Sequence, residues 1–244
     1  MGYRRIWCRH SPVSLNAYYE SMGEHGREAL LVIGVATSYA WDVVESAQRC
    51  QFKVSCVDNY GGANPELPNL TTLSVATDRS TPYTVGLSSA VHRPIALISL
   101  SELGFKNVIS LVDPTAIVAS TVTFGHGSYV NAGVVIASHV QIGCGVNINR
   151  SASIGHDSSI GWGSSIGPGV TTGGNVKIGQ NTLIGVGASV LPGITIGNYC
   201  TVGAGSVVTR NVANGVIVVG NPARVMKEIN VSLLERKKEL CPFC

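Results

Sequence analysis

Apolar residues recur at every sixth position through the second half of the chain, from Val118 to Val208. Fifteen of these sixteen anchor positions are apolar, Thr172 is the exception, and ten of the sixteen are followed directly by glycine. A helix does not keep a six-residue period on one face, whereas short strands do, because residues two apart share a strand face. The pattern predicts a chain that coils, stacks its strands in parallel and fills a narrow interior with the anchors.

A different pattern precedes the repeats, where strand-like and helix-like segments alternate. The strand-like segments are EALLVIG, FKVSCVDN, PYTVGL and a closing NVISLV, and the helix-like segments are SYAWDVVESAQRC and SSAVHRPIALISLSELGF. This alternation predicts a small parallel α/β sheet that ends before Asp113 and Pro114. Ligands of such sheets bind at the carboxyl ends of the strands, which here lie near Gly34, Asp58 and Gly86.

The composition excludes several classes of partner. The 244 residues are 45% hydrophobic and only 13% charged, with a formal net charge of +3. So weak a charge does not favour nucleic acid, and the one basic cluster is ERKKE near the C-terminus. No apolar run approaches the roughly 20 residues of a membrane span, and the N-terminal segment lacks the apolar core of a secretory signal. We therefore expect neither a nucleic-acid nor a membrane partner.

The seven cysteines are odd in number and scattered along the chain. They do not suggest a disulfide framework, so a reducing cytoplasm is the expected setting. The terminal CPFC has the spacing of a zinc-ligand pair, but the sequence places no second pair to complete four ligands, so we expect a frayed tail and no metal. Cys144 and Cys200 occupy repeat positions suited to small buried residues, which argues against an acyl-cysteine intermediate.

The repeats are almost free of charge, which makes one pair of residues conspicuous. From Val118 to Val208 the only formally charged side chains are Arg150, Asp157 and Lys177, and Asp157 directly follows His156 in SIGHDSSIG. Imidazole is suited to general-base catalysis near neutral pH, and an adjacent carboxylate stabilises the imidazolium and fixes the tautomer. Because consecutive residues of a flat strand point to opposite faces, this pairing requires the chain to turn a corner at the pair.

At these repeats the chain resembles the hexapeptide-repeat acyltransferases, whose left-handed parallel β-helix has three hexads per coil. The resemblance implies somewhat more than five coils for the sixteen hexads, then an exit segment GNPARVMKEI and a short amphipathic helix, NVSLLERKKEL. The predicted fold is a small parallel α/β (Rossmann-like) domain followed by a left-handed parallel β-helix. The expected units are an N-terminal extension (1–28), an α/β nucleotide-sugar-binding domain (29–112), the β-helix acetyltransferase domain (113–212) and a C-terminal exit segment with its helix (213–244).

The order of the two domains resembles the sugar acetyltransferases of the sialic-acid O-acetyltransferase and UDP-4-amino-sugar N-acetyltransferase group, over about residues 29 to 228. In that group a glycine-rich turn with a histidine ends the first strand, whereas the matching GVATSY has one glycine and no histidine. A second interpretation stays open, in which Asp58 and Gly86 only end their strands. The resemblance implies substrate contacts at Thr37, Ser38, Asp58, Asn59, Gly86, Ser88 and Asn149.

The same resemblance implies that His156 is the catalytic base, assisted by Asp157. It also implies that acetyl-CoA is the co-substrate. Ser165 stands where the group has a second histidine, nine residues after the base, so one cofactor contact differs. The implied cofactor-binding residues are Gly174, Val186, Ala204 and Ser165.

Two further histidines lie in the repeats. His139 precedes Asp157 by eighteen residues, which is one coil. Asp157 therefore either bridges His139 and His156, or His139 is a surface residue, and we favour the second interpretation. His126 falls on a different face by the same arithmetic.

The predicted function is acetyl transfer from acetyl-CoA to the amino group of a nucleotide-linked amino sugar, by a homotrimer with active sites between subunits. An O-acetyltransferase acting on a sialic-acid-like sugar remains the alternative, because the same base serves either acceptor. A metal-dependent carbonic anhydrase requires three converging histidines, and those at 126, 139 and 156 fall on mismatched faces. A non-catalytic sugar-nucleotide-binding scaffold is favoured only by the altered GVATSY turn.

Overall fold

The structure is a computed structural model that describes residues 13–14, 29–59, 61–74, 77–230 and 241–242. Of the expected N-terminal extension it describes strand β1, Val13–Ser14. The predicted helix NVSLLERKKEL falls on residues 230–240, of which 231–240 lie outside the described residues. No helix in the described part of the chain is long and apolar enough to cross a membrane.

A four-stranded parallel sheet forms the α/β domain, as the alternating pattern predicted. Its strands are β2 (Ala29–Ile33), β3 (Lys53–Asp58), β4 (Thr71–Thr72) and β5 (Tyr83–Val85), in the order β4-β3-β2-β5. Helix α1 (Tyr39–Arg49) follows β2, and helix α2 (His92–Glu102) follows β5. Buried side chains of α1, such as Val43 and Val44, pack in one apolar cluster with Leu30 and Val32 of β2, which explains why this helix carries an apolar face.

The prediction for NVISLV was wrong in part. Val108 forms only an isolated bridge to Tyr83 beside the sheet, and Leu111–Val112 (β6) pairs with Tyr129–Val130 in the coiled domain. The segment therefore does not close the α/β sheet but leads the chain into the coils. The apolar run alone did not reveal which of two adjacent sheets would take its hydrogen bonds.

The repeats form a parallel β-helix, and the six-residue period sets every strand. Each of the sixteen anchors is the second residue of a two-residue strand. Each strand from β7 to β19 pairs in parallel with the strand eighteen residues later, for example Ile142 with Ile160. The strands, β7 to β22, are Ile117–Val118, Thr123–Phe124, Tyr129–Val130, Val135–Ile136, Gln141–Ile142, Asn147–Ile148, Ser153–Ile154, Ser159–Ile160, Ser165–Ile166, Thr171–Thr172, Lys177–Ile178, Leu183–Ile184, Ser189–Val190, Thr195–Ile196, Thr201–Val202 and Val207–Val208.

The strands stack into three faces around one core. Face A contains β7, β10, β13, β16, β19 and β22, and face B contains β8, β11, β14, β17 and β20, with β1 added antiparallel. Face C contains β6, β9, β12, β15, β18, β21 and then β23 (Val216–Val219) and the antiparallel β24 (Arg224–Glu228). The anchors fill the interior as one cluster, and each buried Val or Ile contributes about 1.5–3 kcal/mol of hydrophobic free energy.

The α/β domain packs against face C. Tyr39 on α1 donates a hydrogen bond to Asn147 Oδ1 on β12 (2.7 Å), and the Tyr129 ring of β9 belongs to the apolar cluster of α1. The fully buried Arg93 of α2 joins the two domains by donating to Val85 O and Leu87 O on one side and to the coil carbonyls Gly127 O and Gly145 O on the other.

A second polar junction fixes α1 on the first coil. The buried Asp113 carboxylate accepts hydrogen bonds from the Ser46 hydroxyl (2.6 Å) and the Arg49 guanidinium (2.6 and 2.9 Å). It also accepts from the backbone and hydroxyl of Thr115. Asp113 therefore joins the two domains at the point where the chain passes from one to the other.

Candidate active site

His156 and Asp157 lie at the corner where face A turns into face B, between β13 and β14. His156 Nδ1 lies 2.7 Å from Asp157 Oδ2. The two side chains share a side because Asp157 has a left-handed backbone (φ +56°), so the chain turns there instead of continuing as a flat strand. The carboxylate therefore fixes the orientation of the imidazole through Nδ1 and leaves Nε2 available to accept a proton.

The imidazole of His156 lies over Gly174 of the next coil. A Cβ atom at Gly174 would lie 2.5 Å from His156 Nε2 and 2.6 Å from Cε1. Because no real Cβ atom approaches another atom that closely, only glycine leaves room for this position of the ring. Gly174, which the resemblance assigned to the cofactor, thus also determines where the Nε2 atom of the candidate base lies.

Thr172 supports the same corner from inside, and the sequence analysis did not assign it to the site. Its hydroxyl accepts a hydrogen bond from the backbone N–H of Gly155, directly before His156 (3.0 Å). At the equivalent position of neighbouring coils the N–H donates to a backbone carbonyl instead, as Ala137 does to Ile154. The signal in the sequence was that Thr172 is the single polar residue among the sixteen anchors.

His139 lies one coil before Asp157 at the same corner. Its Nδ1 is 3.7 Å from Asp157 Oδ1, and 65% of its side chain is exposed. The favoured interpretation of a surface residue is therefore incomplete, since the Asp157 carboxylate faces both His139 and His156. Such an exposed pair contributes little to stability because water screens it.

The other predicted cofactor-binding residues lie away from this corner within the chain. Val186 and Ala204 are exposed and stack one coil apart at the corner between faces C and A. Ser165 is buried on face C, where its hydroxyl donates to Ser88 O (2.6 Å) and accepts from Asn147 Nδ2 (3.1 Å). Its observed contacts therefore join the two domains.

The carboxyl ends of β2, β3 and β5 bring the predicted nucleotide residues together. Gly34 follows β2 with φ +85°, a left-handed conformation that favours glycine, and Gly86 packs so closely that a Cβ there would lie 3.2 Å from Gly34 O. Thr37 and Ser38 are exposed at the start of α1, and the Ser38 side chain makes no capping hydrogen bond.

Asp58 and Asn59 end β3 at this edge of the sheet. The Asp58 carboxylate accepts from the backbone of Gly61 (2.8 Å) and Ala63 (3.1 Å), so it orders the loop after the strand. Asn59 Oδ1 is buried 3.8 Å from a Cβ position at Gly34, and no hydrogen bond is found for it within the described ranges. Burying an acceptor without a hydrogen-bond partner costs free energy. A donor group of a bound ligand would remove that cost at Asn59 Oδ1.

Two predicted substrate residues lie where the domains meet. Ser88 is half-buried, and its carbonyl accepts the Ser165 hydroxyl. Asn149, which is buried at the corner between faces C and A, accepts a hydrogen bond from Asn131 Nδ2 (3.1 Å). Both therefore belong to the side of the β-helix that the α/β domain covers.

The residues predicted to carry the chemistry and those predicted to hold the sugar nucleotide thus form two groups on different sides of one chain. His156, Asp157 and Gly174 lie at the corner between faces A and B. The residues predicted to hold the sugar nucleotide lie with the α/β domain on face C, the face that does not border this corner. A single chain therefore does not bring the two groups together.

Comparison with protein families finds one match to the repeats. The model described as bacterial transferase hexapeptide (six repeats) matches residues 139–174 and 175–210. Among curated proteins none matches the chain significantly.

Solved structures resemble nearly the whole described chain. PerB from Caulobacter crescentus, solved with CoA and GDP-perosamine, is 30% identical, with a TM-score of 0.74 over 82% of this chain and 97% of that one. The acetyltransferase domain of PglB from Neisseria gonorrhoeae is 27% identical, with a TM-score of 0.76 over 82% of this chain and 100% of that one. WeeI from Acinetobacter baumannii is 25% identical, with a TM-score of 0.73 over 81% of this chain and 100% of that one.

Proposed function

The chain belongs to the hexapeptide-repeat sugar acetyltransferases, and from that membership we propose that it transfers the acetyl group of acetyl-CoA to the amino group of a nucleotide-linked amino sugar. PerB, which binds CoA and GDP-perosamine, and the PglB domain, also solved with acetyl-CoA, support this substrate class. The observation that carries the proposal is the 2.7 Å contact between His156 and Asp157 above Gly174.

His156 acts as the general base in this proposal. As the amine nitrogen attacks the thioester carbon, Nε2 accepts the proton that the nitrogen loses, the new C–N bond forms, and the C–S bond then breaks. The CoA sulfur leaves as the thiolate or takes up a proton as the thiol, and the product is the amide. Asp157 at Nδ1 stabilises the imidazolium formed in the transition state and keeps Nε2 directed at the acceptor.

The N-terminal domain contributes the sugar-nucleotide site. Thr37 and Ser38, at the start of α1, offer hydroxyl and backbone donors to a phosphate. Asn59 Oδ1, buried beside Gly34, is a hydrogen-bond acceptor for a donor group of the ligand. The backbone N–H of Gly174 would donate to the thioester oxygen, in the manner of an oxyanion hole, because the N–H groups of Gly173 and Asn175 already donate to Val190 O and His156 O.

The separation of the two groups of residues leads us to propose a homotrimer with shared active sites. The base of one copy would serve the sugar nucleotide that the α/β domain of a neighbouring copy holds. Face A and its corners expose large apolar side chains, which suits close packing against another copy. These exposed residues are Ile117, Val135, Val186 and Leu191.

Acetyl-CoA turnover, followed as thiol release with nucleoside-diphosphate 4-amino sugars and their 4-hydroxy parents, tests the reaction. We expect thiol release only with the amino sugars and a product stable to alkaline hydroxylamine, as an amide is. A hydroxylamine-labile ester would instead identify the O-acetyltransferase. Thiol release that no sugar accelerates would contradict both.

Complementation tests the shared site. The variants His156→Ala and Ser38→Trp are each expected to be inactive, the second because an indole blocks the exposed start of α1. Co-expressed, they should form mixed trimers with activity at about one site in four. Absence of any recovery in mixed trimers, or a monomer mass in light scattering, would contradict the shared site but not the chemistry.

A further inference from the structure

A cluster of three potential metal ligands lies away from the candidate active site, at the corner between faces B and C. His126, Cys144 and Cys241 each offer one ligand atom there, and all three atoms lie within 4.8 Å of one another. The Cys144 Sγ to His126 Nδ1 distance is 3.8 Å. Cys144 is buried, and the other two side chains are half-buried.

The coil geometry explains why two of these residues meet. His126 and Cys144 are eighteen residues apart, so they occupy the same corner of adjacent coils. Cys241 comes from the C-terminal tail and packs against the apolar cluster that contains Cys144, Trp162 and Leu97. The sequence argument against a metal required a second ligand pair beside CPFC, and His126 with Cys144 forms one.

The distances and the ligand types fit zinc. Zn–S bonds of about 2.3 Å and Zn–N bonds of about 2.0 Å place tetrahedral N and S ligands about 3.6 Å apart, close to the observed 3.8 Å. The backbone N–H of His126 also donates to Cys144 Sγ (3.2 Å), the kind of outer contact that stabilises a metal-bound thiolate. Cys241 also hydrogen-bonds to Cys144, so the two sulfur atoms already lie next to each other.

We propose that His126, Cys144 and Cys241 bind one Zn²⁺ ion, which fastens the C-terminal tail to the β-helix. Binding displaces the two thiol protons, and the imidazole coordinates in its neutral form through Nδ1. Cys241 begins a C-x₂-C pair with Cys244, a spacing common among zinc ligands. Cys244 lies outside the described residues, so the proposal rests on the other three.

The ion would serve structure and not acetyl transfer. It lies at the corner between faces B and C, whereas His156 lies at the corner between faces A and B. A metal that binds only the folded chain adds its binding free energy to stability, so the ion would stabilise the position of Cys241 on the β-helix.

Cobalt substitution of the full-length, reduced protein tests the proposal. We expect one Co²⁺ per chain, with the visible bands of tetrahedral coordination and the near-ultraviolet bands of thiolate ligation, both displaced by Zn²⁺. Cys241→Ser and His126→Ala should weaken binding by about tenfold or more. Cys50→Ser, which alters another half-buried cysteine remote from the cluster, should leave binding unchanged.

Chelation provides a readout that is independent of the Co²⁺ absorption bands. A strong chelator should lower the thermal midpoint of the wild-type protein but not that of Cys241→Ser, and the acetyltransferase kcat of Cys241→Ser should stay near that of the wild type. Cys241 is chosen because it lies in the tail, outside the coil core, so its variant should fold. Failure of the reduced protein to bind stoichiometric Co²⁺ or Zn²⁺, or a Cys144–Cys241 disulfide that persists in reductant, would overturn the proposal.

Discussion

The Thr172 hydroxyl accepts the backbone N–H of Gly155 across 3.0 Å, and this bond holds the strand end that carries His156. Thr172 is buried among the apolar anchors, where an unpartnered polar group is costly. The Gly155 N–H explains why this anchor is polar. Strands β13 and β16 pair only through Ser153 and Thr171, and the Gly155 N–H donates to the Thr172 hydroxyl instead of to a backbone carbonyl.

Replacing Thr172 therefore tests whether an interior residue positions the base. Thr172→Val keeps the shape but leaves the Gly155 N–H unsatisfied, at a cost of about 1–3 kcal/mol in the free energy of unfolding. We expect a lower kcat with little change in the KM for acetyl-CoA. Thr172→Ser, which keeps the hydroxyl, should recover most of the kcat and most of the free energy of unfolding. Equal kcat values for the Val and Ser variants would argue against a positioning role.

His156→Ala should lower kcat by about 10²–10⁴, the usual contribution of a general base. Asp157→Asn should cost less, because the imidazole remains and only the charge that stabilises its protonated form is lost. Because the base must be neutral to accept a proton, wild-type kcat should rise with pH through an acidic limb that the His156→Ala variant lacks.

His139→Ala is the matched control for this experiment, since His139 faces the same carboxylate from the adjacent coil. We expect it to retain kcat and the acidic limb. Should His156→Ala keep near-normal kcat while the trimer is intact, the pair would be structural and the amine would arrive already deprotonated.

Gly174→Ala should displace the imidazole, because its Cβ would lie within 2.6 Å of two ring atoms of His156. We expect kcat to fall about as far as in His156→Ala. Gly197→Ala is the control, since its Cβ would crowd Asn214, including the backbone N at 2.6 Å, at the corner between faces B and C. It should lower the thermal midpoint at least as far as Gly174→Ala does, and it should leave kcat near the wild-type value. Equal kcat for the two variants would contradict the placement of the ring.

Asp58→Ala should raise the KM of the sugar nucleotide more than that of acetyl-CoA, because Asp58 orders the loop at the carboxyl edge of the sheet. Asp78→Ala is the matched control. Its carboxylate likewise accepts from Ser80 and Thr81, but it precedes β5 and so lies at the opposite edge. Equal effects of Asp58→Ala on both KM values, or none, would mean that this strand end does not serve the nucleotide.

Asp113 predicts a pH dependence of stability. Burial opposes its ionisation, but hydrogen bonds from Ser46, Thr115 and Arg49 outweigh burial and lower the pKa of the carboxyl. An acid with a lowered folded-state pKa contributes stability that is complete above its unfolded pKa of about 3.9 and is lost as pH falls further. Urea unfolding should therefore show Asp113→Asn less stable at pH 7, with the difference shrinking below about pH 4. A constant difference down to pH 2 would contradict this account.

The six-residue pattern was enough to predict the β-helix and the corner that carries the candidate base. A six-residue period is a local property, because each anchor must face the core and each turn must follow its anchor. All sixteen anchors accordingly are strand residues, each the second residue of its strand. Counting in steps of eighteen then placed Gly174 beside His156, and His139 beside Asp157. The alternation of segments likewise predicted β2, α1, β3, β5 and α2.

The repeat does not predict which face the α/β domain covers, because a sequence period does not encode how two folded surfaces fit together. The docking through Tyr39 and Arg93 buried Ser165 against Ser88 and drew Leu111–Val112 into face C. The position of Cys241 beside His126 and Cys144 likewise depends on contacts between residues far apart in the chain. The repeat determines the position of every residue on its own coil, whereas the packing of separate segments determines what lies against that coil.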